Sequence, residues 1–158
     1  MTTEKKTGEL IDISLGSPKK KFRINGDNTK IIELNPSDVN IVSRLNDAYG
    51  QLTEMAQKAG TLLNEEEDAN TEEELKKLSS ALTKLDGDMR ALVDKLFDSP
   101  VSAAVADGIN MYSPYDGEFW FEHVIEVLSG LYENSFKDEF KKMNDRIHKR
   151  TNKYTGKL

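Results

Sequence analysis

The chain has 158 residues, enough for one domain with its own core. Hydrophobic residues make up 37% and charged residues 32%, which favours elongated, solvent-facing helices over a thick globular core. The net charge of −6 argues against nucleic-acid binding by the whole surface, and the absence of cysteine excludes a disulfide framework and a thiolate metal site.

Met1-Thr2-Thr3-Glu4-Lys5-Lys6 is not followed by an apolar run, so no signal peptide is expected. Nor does any stretch approach the 18 apolar residues of a membrane span. Residues 1–20 are expected to be a disordered tail ahead of a single helical domain over residues 21–158. Within that tail, Leu10-Ile11-Asp12-Ile13-Ser14-Leu15 alternates at Ile11, Ile13 and Leu15, the pattern of an edge strand or a docking segment.

Lys21-Phe22-Arg23-Ile24 and Lys30-Ile31-Ile32-Glu33-Leu34 predict a β-hairpin, joined by Asn25-Gly26-Asp27-Asn28, residues that tolerate positive φ. A two-stranded hairpin alone is marginal in water. It must rest on the helices, recruit residues 10–15 as a third strand, or pair with another copy.

Asn35-Pro36-Ser37-Asp38 predicts a helix start, and a first helix is expected over about 36–63. Its apolar line is Val42, Leu45, Tyr49, Leu52, Ala56, Ala59 and Leu63, spaced alternately three and four apart. Thr71-Glu72-Glu73-Glu74 predicts a capping box opening a second helix. That helix carries Leu75, Leu78, Leu82, Leu85, Met89, Leu92 and Leu96 at the same spacing, with a soft spot at Asp86-Gly87-Asp88. Two such lines joined by a short polar connector predict an antiparallel helical hairpin.

Phe97-Asp98-Ser99-Pro100 ends the second helix, and a short helix is expected over Pro100–Ala106. Met111 to Gly117 is expected as a loop rich in aromatics and turn residues. A long C-terminal helix follows from about Glu118 to about residue 152, with one stripe of Phe121, Ile125, Leu128, Tyr132, Phe136, Phe140, Met143 and Ile147. The predicted fold is therefore mainly α, with strand confined to residues 9–34.

No catalytic constellation stands out, and neither an enzyme, a cofactor nor a metal is expected. His123 and His148 lie 25 positions apart on one predicted helix, roughly 38 Å along its axis. His123 is expected to be partly buried and His148 solvent-facing. The acidic run Glu65-Glu66-Glu67-Asp68 lacks the order and glycine of a calcium loop. Charge is polarised instead: residues 64–74 hold seven acids and no base, and residues 137–157 hold eight basic and three acidic residues.

The order of these elements resembles that of small proteins encoded in the tail-gene region of siphophages of Gram-positive bacteria, usually taken to be tail assembly chaperones. The likeness covers roughly residues 20–155. It rests on Phe22-Arg23-Ile24-Asn25-Gly26-Asp27, Leu34-Asn35-Pro36-Ser37-Asp38, the charged helical hairpin, Leu96-Phe97-Asp98, the aromatic segment Phe119–Phe121 and Asn152-Lys153-Tyr154. The resemblance implies a non-enzymatic protein of the host cytoplasm that binds the helical tape measure protein before the tail tube forms. A virion connector subunit and a phage-encoded inhibitor of a host defence complex are the alternatives. Self-association stays open; a membrane is not expected as a partner, nor is nucleic acid. The expected partner-binding residues are Met111, Tyr112, Tyr115, Phe119, Trp120 and Phe121, because aromatics and methionine are enriched at contact centres and one helix face rarely hides so many. The competing expectation is that they close the core where the last helix meets the hairpin.

Overall fold

The computed structural model describes residues 8–66 and 69–155; expectations for residues 1–7, 67, 68 and 156–158 lie outside the described residues. In chain order the described elements are β1 (Lys20–Arg23), β2 (Ile31–Leu34), α1 (Asn40–Glu66), α2 (Glu72–Phe97), α3 (Ser102–Val105), β3 (Pro114–Tyr115), β4 (Glu118–Phe119) and α4 (Trp120–Thr155). The fold is mainly helical: α1 and α2 form the hairpin, and a small two-stranded sheet precedes it.

β1 and β2 pair antiparallel, with Phe22 opposite Ile32. Within the connection between them, a turn closed by the Asp27 N–H on the Ile24 carbonyl places Asn25 at φ 51° and Gly26 at φ 73°, the left-handed pair of a type I′ turn. Ile32 and Leu34 point inward and are buried, while Ile31 and Glu33 are exposed, the alternation of a strand with one covered face.

The first helix begins at Asn40 rather than near residue 36. Residues 35–38 form a separate turn, in which the Asp38 N–H donates to the Asn35 carbonyl. Asp38, not Asn35, then accepts the Asn40 N–H at 3.0 Å and is held by Arg44 at 3.0 Å. The apolar line of α1 is also displaced. Ile41, Ala48 and Ala59 are buried and Leu45, Leu52 and Met55 half-buried against the core, whereas Val42 and Tyr49 are exposed, Tyr49 by 73%. Leu45, Leu52 and Ala59 belong to both lines; the helix turns inward the flank that carries Ile41 and Ala48, and leaves out the flank on the other side of Leu45 that carries Val42 and Tyr49.

In α2 the expected line holds from Leu78 to Leu96, with Met89 and Leu96 fully buried and Leu82, Leu85 and Leu92 half-buried, while Leu75 is exposed. Thr71 caps the helix, its hydroxyl accepting the Glu74 N–H. The Glu74 carboxylate accepts from Asn70, one residue before the position a capping box uses. The helix runs unbroken through Gly87 and ends at Asp98, whose φ of 50° is left-handed.

The aromatic loop is not free of strand. β3 and β4 make a minimal hairpin, Pro114 opposite Phe119, around Asp116 at φ 51° and Gly117 at φ 84°. This corrects the confinement of strand to residues 9–34. The Trp120 and Phe121 N–H groups donate to the Ser113 and Met111 carbonyls at 2.8 and 2.9 Å, so the loop satisfies N–H groups that a helix start leaves open. Along α4, Phe121, Val124, Leu128 and Tyr132 join the core. From Lys137 to Lys149 every side chain is exposed. Residues 8–19, ahead of β1, are exposed and have no regular secondary structure.

Candidate partner-binding surface

A line of charged residues on α2 positions the surface. Asp86, Arg90 and Asp94 are spaced by four and share one flank of the helix. Arg90 Nε bonds Asp86 at 2.9 Å, and its Nη2 donates to the carbonyls of Ala106 and Ile109 at 2.6 and 2.7 Å. The second oxygen of Asp86 accepts the Met111 N–H at 2.7 Å. Asp94 accepts both the N–H and the hydroxyl of Ser102. These three side chains bind the irregular segment between α2 and β3 to the side of α2. The four-residue spacing of these charges is the signal in the sequence, and the glycine in Asp86-Gly87-Asp88, which suggests a soft spot, masks it.

Anchored in this way, the six expected partner-binding residues come together and divide into two groups. Met111, Tyr112 and Phe121 lie in the core, at most 2% exposed. Tyr112 meets Phe119 and Phe121 edge-on, with ring centroids 5.7 and 5.4 Å apart. In this conformation Met111 and Tyr112 offer no surface to a partner. Phe119 and Trp120 are half-buried and Tyr115 is exposed. Trp120 Nε1 donates to the Val105 carbonyl at 3.0 Å, and its ring meets Tyr115 and His123 at 5.1 and 5.3 Å. His123 is half-buried and His148 exposed, as expected.

Tyr112 carries an electrostatic consequence. Burial, reinforced by Asp88 and Asp86, pushes its phenol up to about 12. Its hydroxyl has no hydrogen-bond partner among the described residues. The folded chain keeps the proton that the unfolded chain loses near pH 10, so stability is intact below pH 10 and falls as pH rises to 12. The expected loss across that window is about 2–3 kcal/mol. Tyr112→Phe should remove the Tyr112 share of the alkaline loss, leaving that of Tyr132, whose phenol burial also raises, without lowering stability at pH 7, as measured by urea denaturation at a series of pH values.

Two apolar grooves flank α4, and the aromatic segment supplies a wall to each. The first lies between α1 and α4, holds about 550 Å³, and is lined by Tyr49, Leu52, Ala56, Phe121 and Ile125, with Glu122 and Glu126 on its rim. The second lies between the β1–β2 sheet and α4 and holds about 320 Å³. Phe22, Ile24, Trp120, Val127 and Leu131 line it, with Arg23 and His123 as its basic groups. The α1–α4 groove is not legible in the sequence, because the spacing places Tyr49 on the buried line of α1 whereas it stands exposed at the groove.

Among the described residues no group of three or more His, Asp or Glu side chains is placed to hold a metal, and no helix is long and apolar enough to cross a membrane. Comparison with protein-family models, curated proteins and solved structures finds no match.

Proposed function

We propose that this chain is a non-enzymatic phage tail assembly chaperone that binds an amphipathic helix of the tape measure protein in the α1–α4 groove. The groove is the observation that carries the proposal. Its two walls are the helices α1 and α4, and Leu52, Ala56, Phe121 and Ile125 make much of its lining apolar, a surface suited to the apolar face of a third helix. Glu122 and Glu126 on the rim favour a helix whose apolar stripe is bordered by lysine or arginine. Exposed Phe140 and Met143 continue an apolar stripe on the outer part of α4, giving a long helical partner a second place to rest. The tape measure protein is proposed as the partner because the order of elements resembles that of the siphophage proteins.

Tyr49 provides the test, because it borders the groove while remaining 73% exposed. Tyr49→Asp should change the stability of the free chain by less than about 0.5 kcal/mol. The same change should weaken capture of a co-expressed tape measure protein by about 2 kcal/mol, read as a thirtyfold higher Kd. Folded wild type that fails to capture the tape measure protein would remove the chaperone proposal and leave the connector and inhibitor alternatives.

A further inference from the structure

The segment ahead of β1 carries the largest unsatisfied apolar surface per residue in the described chain. Leu10, Ile11, Ile13 and Leu15 are 98%, 82%, 81% and 92% exposed. Ile11, Ile13 and Leu15 fall on one side of an extended chain, with Leu10, Asp12 and Ser14 on the other. A segment patterned as a half-buried strand thus lies uncovered among the described residues.

The matching vacancy is at the outer edge of β1. The sheet has two strands, so β1 is an edge strand with unpaired backbone groups. The groove beside it is lined by the consecutive residues Phe22, Arg23, Ile24 and Asn25, and its far wall is Val127 and Leu131 of α4. Val127 is itself 53% exposed. A strand laid along β1 with one apolar side down would cover this wall, continuing the inward face that Ile32 and Leu34 begin. Charge agrees with this fit. The arm carries Glu9 and Asp12, while the edge carries Lys20, Lys21 and Arg23. The other sheet edge fits less well, because its groove brings Glu33, Asp38 and Asp98, against the single base Lys19, to an acidic arm.

We propose that residues 10–15 add as a third strand to the β1 edge of a second copy of this chain, each copy lending its arm to the other. Three Ile or Leu side chains remove roughly 100 Å² each from water. With the receiving surface included, two reciprocal arms bury about 1,200 Å², the lower end of what a stable, specific dimer needs. Gly16-Ser17-Pro18-Lys19 is the hinge; Gly16 sits at φ 75°, and the Lys19 N–H donates to the Ser17 hydroxyl. In the described chain the arm is exposed and none of its residues lines its own groove, so the second copy supplies what the first lacks.

The chain has no cysteine, so an engineered pair reports this contact directly. The full-length double variant Ile13→Cys, Val127→Cys should form a disulfide-linked dimer on mild oxidation. Both positions are exposed, so folding is not at stake, and circular dichroism of the reduced variant checks it. In parallel, sedimentation should show a dimer for the wild type, with Ile13→Asp and Val127→Asp each weakening self-association by about a hundredfold. An intramolecular disulfide within a monomer would overturn the proposal in favour of closure on the chain's own edge. A wild type that stays monomeric at about 100 µM, or a dimer indifferent to both aspartates, would overturn it as well.

Discussion

Arg90→Ala should destabilise the chain by about 3–4 kcal/mol, a large fraction of what a domain of this size possesses. Arg90 is paired with Asp86, both side chains being about three-quarters buried. Its removal leaves the Asp86 carboxylate poorly solvated and unpaired, the costly half of breaking such a pair. It also takes a charge-assisted bond from the carbonyls of Ala106 and Ile109, of which Ala106 keeps only the Ile109 N–H. The segment from Asp98 to Ser113 should loosen first, so limited proteolysis should cut there in the variant and not in the wild type. Arg90→Lys should recover only a minor part of the loss, because an ammonium cannot span Asp86 and two separate carbonyls in the plane of the guanidinium. Urea denaturation gives the magnitude, and equal stability of Arg90→Ala and wild type would show that α2 does not hold this segment.

Trp120→Ala should cost about 3–4 kcal/mol in the isolated chain. The indole is half-buried against the core, donates to the Val105 carbonyl and supports Tyr115 and His123. Truncation therefore opens a cavity at the first turn of α4 and leaves a helical carbonyl of α3 without its donor. A contact residue with no structural duty would leave the melting temperature nearly unchanged, and that outcome would return Trp120 to the partner surface. Because of this cost, binding by the Trp120 variant reports folding as much as contact, and Tyr49→Asp is the cleaner probe of the α1–α4 groove.

Long apolar periodicities were legible. The leucine line of α2 fixed which side of that helix is buried, and the polar connector fixed the antiparallel return. In α1 the same spacing pattern was ambiguous, because Leu45, Leu52 and Ala59 can be flanked by Val42 and Tyr49 or by Ile41 and Ala48. Periodicity alone cannot choose between two lines one residue apart; the burial of Ile41 and Ala48 decides it. The β3–β4 hairpin was missed because each strand has two residues, too few for alternation to register, although Asp116-Gly117 is itself a hairpin-turn signal. The candidate surface was half legible. Clustering of aromatics at 111–121 located it, but the division into buried Tyr112 and Phe121 and surface Tyr115 depends on where Asp86 and Arg90 draw the backbone.

The outer part of α4 has a thermodynamic life of its own. From Lys137 to Lys149 no side chain is buried, so this stretch rests on backbone hydrogen bonds and solvated pairs such as Lys137–Glu133 and Lys142–Glu139, each worth a few tenths of a kcal/mol. An unsupported helix of that length sits near its own coil transition. Its opening free energy is then close to zero, while the inner turns around Leu128 and Tyr132 open only with the whole body. Heating should therefore erode ellipticity gradually before the cooperative transition, and amide exchange should divide one continuous helix into a fast and a slow half. A partner that seats on the outer half gains contacts and also the helical order that those contacts induce, so its affinity will weaken with temperature more steeply than a preformed surface would allow.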